Sequence, residues 1–364
     1  MYSVKKITKR IIAWGACQRF EFSIQKHTLK IDYILDNNCK KWGTDFNNFP
    51  VKSPSILENE KINEIIIIIF TFSFAEIKEQ LENIGLVYKK NFFHFLDFVE
   101  YRDLIDKVCK NSNDYIFLEK IIKTSYYCID IGANCGLYSY KLSKLVGKEG
   151  KVFSIEPLKL SFEHLLKIKK LYFLHNIVPF NLAIIGSNKT KKVKIIIPRI
   201  NNVIQSGLAH LYSNKSLNKK DILDPDDLKE LIGSYASPEV LKKGDIQKVN
   251  SRTLDSLVDE IKPKRIDYIK CDVEGAEFFV LKGSKKTISR YKPLIQCELG
   301  WNYYESNSYK KVIDLLKIKG YCCYFVVNNK FITLKDYKLK KKEHNYYFIH
   351  KTHYDYYKNL IIKR

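Results

Sequence analysis

The stretch that most constrains the fold is residues 128–139, CIDIGANCGLYS. An apolar run gives way to two glycines and then to a helix-forming pattern. This reads as a buried strand that stops at Asp130 and turns through Gly132 and Gly136 into a helix. Such a turn lays bare backbone beside a ligand, because glycine takes conformations closed to other residues. Units of this kind build parallel α/β sheets, whose ligands sit at the carboxyl ends of the strands.

The next elements sharpen the expectation. A helix over 137–146 and a turn at 147–150 lead into a strand over 151–156 that ends in Glu156 and Pro157. Gly132 and Glu156 are 24 positions apart (156 − 132). A glycine turn after one strand and an acid at the tip of the next mark a nucleoside site. A nicotinamide dinucleotide would set its pyrophosphate against Asp130, a meeting of like charges. The pattern Asp130-x-Gly132-x-Asn134-x-Gly136 suits a cationic zwitterion better. S-adenosylmethionine offers an ammonium for the acid, a carboxylate for backbone N–H groups and a ribose diol for the two oxygens of Glu156. A third strand over 177–182, ending near Asn181, is expected to lie along the adenine.

A smaller α/β domain precedes this one. Apolar strands are expected over 11–14, 31–36 and 65–70, with helices after the first strand to about residue 27 and over 74–84, closed by Gly85. Gly15 and Asp36 are 21 positions apart, near the spacing of a ribose-binding carboxylate. Positions 15, 17 and 20 are Gly, Cys and Phe, where that fingerprint wants three glycines. Two readings stand: a ligand site, or a Rossmann-like scaffold without cofactor. The words WGACQ, DYILDNNCKKWGT and FPVKSP resemble the small Rossmann-like domain attached to some sugar-modifying enzymes. The expected organisation is a first domain over 1–96, a linker over 97–114 and a second domain over 115–364 with an insertion at about 198–249.

A second acidic tip closes the pattern. The strand over 266–271 ends in Asp272-Val-Glu-Gly-Ala-Glu277, and the strand of PLIQCE ends in Glu298. Acids at a helix start are favoured by the helix dipole, and here three of them, Asp272, Glu274 and Glu298, lie at the tips of neighbouring strands. Together DIGANCGLYS, VFSIEP, SRTLDSL, IKCDVEGAE and PLIQCEL resemble the FkbM-type family of S-adenosylmethionine-dependent methyltransferases. The resemblance runs from about residue 115 to 327. It implies a class I methyltransferase fold: a seven-stranded, mostly parallel sheet with a terminal antiparallel hairpin over 321–327 and 346–350. It also implies O-methylation of sugars or of secondary-metabolite hydroxyls. Residues 205–210, QSGLAH, resemble a serine–glycine element that the family places over the active site.

The candidate cofactor residues are therefore Asp130, Gly132, Asn134, Gly136, Glu156, Asn181 and Asp272. The candidate catalytic residues are Asp272, Glu274, Glu298 and His210. One carboxylate could be the general base, its pKa raised by its neighbours. Alternatively Asp272, Glu274 and Glu298 hold a hard cation such as Mg²⁺ that activates the hydroxyl. The expected partner is a sugar or glycan hydroxyl, nucleotide-linked or lipid-linked, in surface polysaccharide synthesis. A catalytically inactive nucleotide-sugar-binding or scaffold protein is the competing reading.

Composition sets outer limits. The net charge of +23 invites acidic partners, but the lysines are spread along the chain. Base-methylating enzymes often carry an Asn/Asp-Pro-Pro-aromatic tip where this chain reads DVEG, so no nucleic-acid partner is expected. The longest apolar run, 65–70, is far too short to span a bilayer. With no signal-like N-terminus and nine scattered cysteines, the expected place is the cytoplasm, including the inner face of its membrane.

Overall fold

The structure, a computed structural model, describes residues 3–26, 30–71, 73–98, 113–188, 191–200, 203–204, 209–211, 244–299, 308–334 and 345–362. The chain divides into two compact units: 1–112 with 201–204, and 113–200 with 205–364. The expected linker falls almost wholly outside the described residues, and the first helix of the second unit starts at Asn113.

The first unit holds β1 (Arg10–Trp14), α1 (Gln18–Lys26), β2 (Ile31–Leu35), β3 (Asp45–Phe46), β4 (Phe49–Lys52), β5 (Ile65–Ile69), α2 (Phe74–Asn83) and β6 (Phe92–His94). They form one six-stranded sheet in the order β3-β4-β2-β1-β5-β6. All neighbours pair in parallel except β3 with β4. The all-isoleucine β5 is buried along its whole length, as a parallel strand covered on both faces must be. Phe20 takes the place of the third fingerprint glycine. It is fully buried and meets Phe49 and Phe70 edge-on, with ring centroids 5.5 Å away in both cases.

The second unit is built on α3 (Asn113–Ile121), β7 (Tyr127–Ile131), α4 (Leu137–Val146), β8 (Lys151–Ile155), α5 (Lys159–Leu171) and β9 (Ile177–Phe180). Then come β10 (Ala183–Ile184), β11 (Lys192–Ile200), β12 (Val203–Ile204, which falls with the first unit), β13 (His210–Leu211) and β14 (Gly244–Arg252). The rest is α6 (Leu254–Ile261), β15 (Tyr268–Cys271), α7 (Glu277–Lys282), α8 (Lys285–Tyr291), β16 (Leu294–Glu298), α9 (Ser308–Ile318), β17 (Tyr321–Val327), β18 (Lys330–Thr333), β19 (Asn345–His350), α10 (Tyr354–Tyr357) and β20 (Ile361–Ile362).

The main sheet runs β20-β18-β17-β19-β16-β15-β7-β8-β9. The expected seven strands are its body, parallel from β9 to β16, with β19 antiparallel between β16 and β17. Two further edge strands, β18 and β20, bring the total to nine. Asn328 and Asn329 both take left-handed conformations (φ 50° and 59°), so they make the tight turn from β17 to β18. The strand order reverses beside β7, whose two neighbours are β8 and β15, and a crevice opens there at the carboxyl ends.

The expected insertion leaves the sheet as a ribbon. β11 pairs antiparallel with β14 from Lys192 opposite Asn250 to Pro198 opposite Gly244. Residues 212–243 lie outside the described residues. No helix among the described residues is long and apolar enough to cross a membrane. The eight cysteines among them are free thiols.

Candidate active site

The glycine turn and the acidic tip are keyed together. Gly132 has φ +80°, and a Cβ there would lie 1.7 Å from the carbonyl oxygen of Asp272. Only glycine lets β7 and β15 end this close. The contact is tied by Asp272 N donating to Ile131 O at 3.0 Å. Gly136 (φ +90°) serves a different contact: its Cβ would lie 2.6 Å from Leu165 Cδ1, so it lets α4 approach α5. Asn134 is left-handed (φ 48°), and its backbone N–H donates to Glu156 Oε2 at 2.8 Å.

Glu156 is held from both sides. Leu158 N donates to its Oε1, also at 2.8 Å. Each oxygen thus accepts one backbone N–H and keeps a lone pair for a ligand. Burial pushes the Glu156 carboxyl up to about 7, against the two backbone hydrogen bonds. The Asn181 side chain is spent on the backbone: its Nδ2 donates to the carbonyls of Glu156 and Pro157 at 2.9 and 3.0 Å. It steadies the tip that carries Glu156, and Leu182 and Ala183 line the cavity instead.

Asp130 differs from expectation. β7 runs on to Ile131, so Asp130 lies inside the strand rather than at its tip. Its side chain is fully buried and is not among the residues lining the cavity. Ser139 Oγ donates to its Oδ2 at 2.6 Å and lies 2.7 Å from Ser154 Oγ. Lys270 Nζ stands 3.8 Å from Oδ1. The register puts Ser154, Asp130, Lys270 and Gln296 side by side across four parallel strands. A buried polar row therefore crosses the sheet beneath the site, and Tyr138 and Tyr268 both donate to Gln296 Oε1 at its far end.

The acid facing the cavity is Asp272. Lys270 Nζ donates to its Oδ2 at 2.7 Å. Burial opposes ionisation, but Lys270 and a hydrogen bond with Glu298 hold the Asp272 carboxyl below its usual range. Glu298, next to it on β16, goes the other way: burial and then Asp272 push it up, so it holds the proton of the pair. Glu274 takes a left-handed backbone (φ 48°) followed by Gly275 (φ 102°). The turn is clamped by Glu277, whose Oε1 accepts from Val273 N at 3.0 Å and Gly275 N at 3.3 Å. A non-glycine residue kept in this conformation is strain that the surroundings must hold in place, as is common at working sites. Burial, then Asp272 and Glu277, push the Glu274 carboxyl up to about 8.

One cavity joins these parts. Gly132, Asn134, Glu156, Pro157 and Leu158 line one side, Asp272, Val273 and Glu274 another, and Ile195 of the ribbon and Ala209 contribute as well. Glu298 stands behind Asp272, outside that lining. His210 is placed only by its backbone, which pairs with Ile196 in β13. Residues 205–208 of the serine–glycine element lie outside the described residues. Among the described residues no group of three or more His, Cys, Asp or Glu side chains is arranged to hold a metal ion. The carboxylates meet an ammonium instead, Lys270 at Asp272, so the donor set does not fit Mg²⁺.

The model of the methyltransferase FkbM domain matches residues 130–323, more than half of the chain. The chain belongs to the FkbM methyltransferase family. The match takes in the glycine turn, Glu156, the DVEGAE tip and Glu298. Among solved structures the chain is similar to the methyltransferase FkbM of Methylobacillus flagellatus KT, at 13% identity, covering 93% of this chain and 90% of that one with a TM-score of 0.36. It is also similar to an S-adenosylmethionine-dependent O-methyltransferase of Thermotoga maritima (11% identity, 78% and 72% covered, TM-score 0.32). A third is SMU.1697c of Streptococcus mutans, a putative methyltransferase in complex with S-adenosylhomocysteine (10% identity, 67% and 96% covered, TM-score 0.32). No curated protein matches the chain. The FkbM chain is thus an S-adenosylmethionine-dependent methyltransferase.

In the first unit the fingerprint acid is engaged internally. Asp36 Oδ2 accepts from Ala16 N at 2.9 Å and pairs with Lys41 Nζ at 3.1 Å, while Oδ1 accepts from Asn38 N at 2.8 Å. Oδ2 thus meets two donors and only Oδ1 keeps a lone pair, so a two-oxygen grip on a ribose diol is not free, which favours the scaffold reading.

Lys270 is the functional residue that sequence reasoning missed. Its signal was present: a lysine inside the apolar strand YIKC must find an anion if that strand is central.

Proposed function

We propose that this FkbM methyltransferase transfers a methyl group to a hydroxyl of a sugar or glycan precursor. The observation that carries the reading is the cavity itself, with a cofactor wall of Gly132, Asn134 and Glu156 facing an acidic wall of Asp272 and Glu274. When bound, S-adenosylmethionine supplies an electrophilic methyl on a sulfonium. Glu156 receives the ribose hydroxyls on its two remaining lone pairs, and the turn 132–136 receives the carboxylate. Asp272, kept ionised by Lys270, meets the cationic end, the part first assigned to Asp130.

Glu274 is the general base. It lines the cavity, its backbone is fixed by Glu277, and its carboxyl titrates near neutral pH, where a base works best. As the acceptor oxygen takes the methyl and the carbon–sulfur bond breaks to leave S-adenosylhomocysteine, the hydroxyl proton would pass to the Glu274 carboxylate and from there to water. A well-placed base of this kind contributes about a hundred- to ten-thousand-fold. An acidic wall suits a neutral polyol and repels an acceptor that is anionic at the reacting position. The sugar class is further supported by the resemblance of the first unit to the domain attached to sugar-modifying enzymes. The acceptor can be nucleotide-linked or lipid-linked, its charged carrier held away from the acids.

The test is formation of S-adenosylhomocysteine with a panel of free, nucleotide-linked and lipid-linked sugars. Glu274→Gln should lower turnover at least a hundredfold while S-adenosylmethionine still binds. Tight cofactor binding with no turnover of any hydroxylated acceptor would refute the reading and favour a binding or scaffold protein.

A further inference from the structure

We infer that Lys270 is a positioning residue for the cofactor: its buried ammonium aims the Asp272 carboxylate into the cavity. The inference rests on the proposed function, which makes Asp272 a cofactor contact.

The geometry allows little else. Lys270 is buried, at 6% exposure, in the middle of a central strand. Lys270 and Asp272 are two positions apart, so they leave β15 on the same face and the ammonium runs up the strand toward the tip. It ends 2.7 Å from Asp272 Oδ2 and 3.8 Å from Asp130 Oδ1, with 4.9 Å to the ring centre of Tyr138. Asp130 is locked on the same face, deeper in the sheet, by Ser139, and its Oδ1 has no hydrogen-bond partner. The short contact is thus made upward, to the acid that lines the cavity.

A buried ion pair fixes direction because its charged groups have nowhere else to go. A lysine needed only to neutralise Asp130 would sit closest to Asp130. Here it sits closest to Asp272, whose other partner, Glu298, also belongs to the acidic wall. Removing the ammonium should let the Asp272 side chain leave its orientation, and the cationic end of the cofactor should lose its anion.

The experiment is calorimetric titration of S-adenosylmethionine into the full chain and five variants, with thermal unfolding recorded alongside. Lys270→Met should weaken binding at least tenfold and lower stability, whereas Lys270→Arg should stay within about threefold of wild type. The double variant Asp130→Asn with Lys270→Met removes the buried carboxylate that would otherwise be left orphaned. It should regain most of the stability and still bind tenfold more weakly. A double variant that regains both stability and affinity would overturn the inference, since Lys270 would then serve only Asp130. Asp272→Asn gives a check that does not depend on the fate of Asp130. Adding Lys270→Met to it should cost less than a further twofold in affinity, and a full additional tenfold loss would also overturn the inference. Failure of the wild type to bind S-adenosylmethionine would instead defeat the proposed function, and this inference with it.

Discussion

Replacing Gly132 with alanine should break the contact between the glycine turn and the acidic tip. The added Cβ would lie 1.7 Å from the Asp272 carbonyl oxygen, and contacts under 3.0 Å are essentially never found. The two tips must therefore move apart by at least 1.3 Å, the difference of those values. Such a shift stretches the bond from Asp272 N to Ile131 O and displaces Asp272 and Glu274 together. A left-handed alanine costs about 1–2 kcal/mol, and forcing a packed contact open costs about 1–3 kcal/mol more. A loss of roughly 2–5 kcal/mol is expected. Gly85→Ala isolates the first part, because its φ is +83° and nothing lies within 4 Å of the added Cβ. That variant should lose only about 1–2 kcal/mol. Urea unfolding measures both, and calorimetry measures S-adenosylmethionine affinity. A Gly132→Ala protein no less stable than the Gly85→Ala protein, with undiminished affinity, would refute the keyed-tip argument.

Glu277→Ala leaves the Val273 and Gly275 N–H groups without their acceptor and should cost about 2–4 kcal/mol in thermal unfolding, with turnover falling as Glu274 loses its fixed backbone. The carboxyl of Glu156 rises from 4.5 to about 7 on folding, so the folded chain holds this proton more tightly. Its contribution to stability is therefore full below about pH 4.5 and is lost as pH rises toward 7, by roughly 3 kcal/mol. Urea midpoints measured across that range should show the fall, and Glu156→Ala should abolish it. S-adenosylmethionine affinity should decline below about pH 7 as Glu156 takes up its proton, whereas turnover should climb to a plateau above about pH 8 as Glu274 loses its own. Calorimetry and initial rates at matched pH separate the two limbs. In the first unit, Phe20→Ala empties the centre of an aromatic cluster and should cost about 3–5 kcal/mol by urea unfolding.

The parts of the fold that are periodic and local could be read from sequence. The apolar run of β7, the glycines at 132 and 136 and the acid at 156 each report a backbone requirement in a few residues. The reading failed by one residue at Asp130, and that residue decides depth. Extending β7 to Ile131 sets Asp130 one residue back from the strand tip, from the mouth of the site into the buried polar row beneath it. The role of Lys270 depends on which strand lies beside β7, a long-range fact that no local spacing carries. The extra strand β18 was partly visible in the Asn328–Asn329 pair, since asparagine tolerates the left-handed backbone of a two-residue hairpin turn, whereas β20 left no such mark. Glu156 and Glu277 were legible as acids, but their clamping by, and of, backbone N–H groups needs the turns in three dimensions.

The ribbon of β11 and β14 has a consequence for how such enzymes diversify. Its strands begin beside the cofactor sheet and hold each other in register over seven pairs before the chain departs toward residues 212–243. The ends of that segment are thus anchored whatever it contains. Closing a loop on fixed ends costs only about 0.6 kcal/mol for each doubling of its length. Inheritance can therefore lengthen, shorten or replace it at little cost to the sheet that carries Gly132, Glu156 and the DVEGAE tip. Grafting 212–243 between relatives is therefore expected to leave the paired strands and the turn at Gly132 intact, which urea unfolding and S-adenosylmethionine titration of the graft would check.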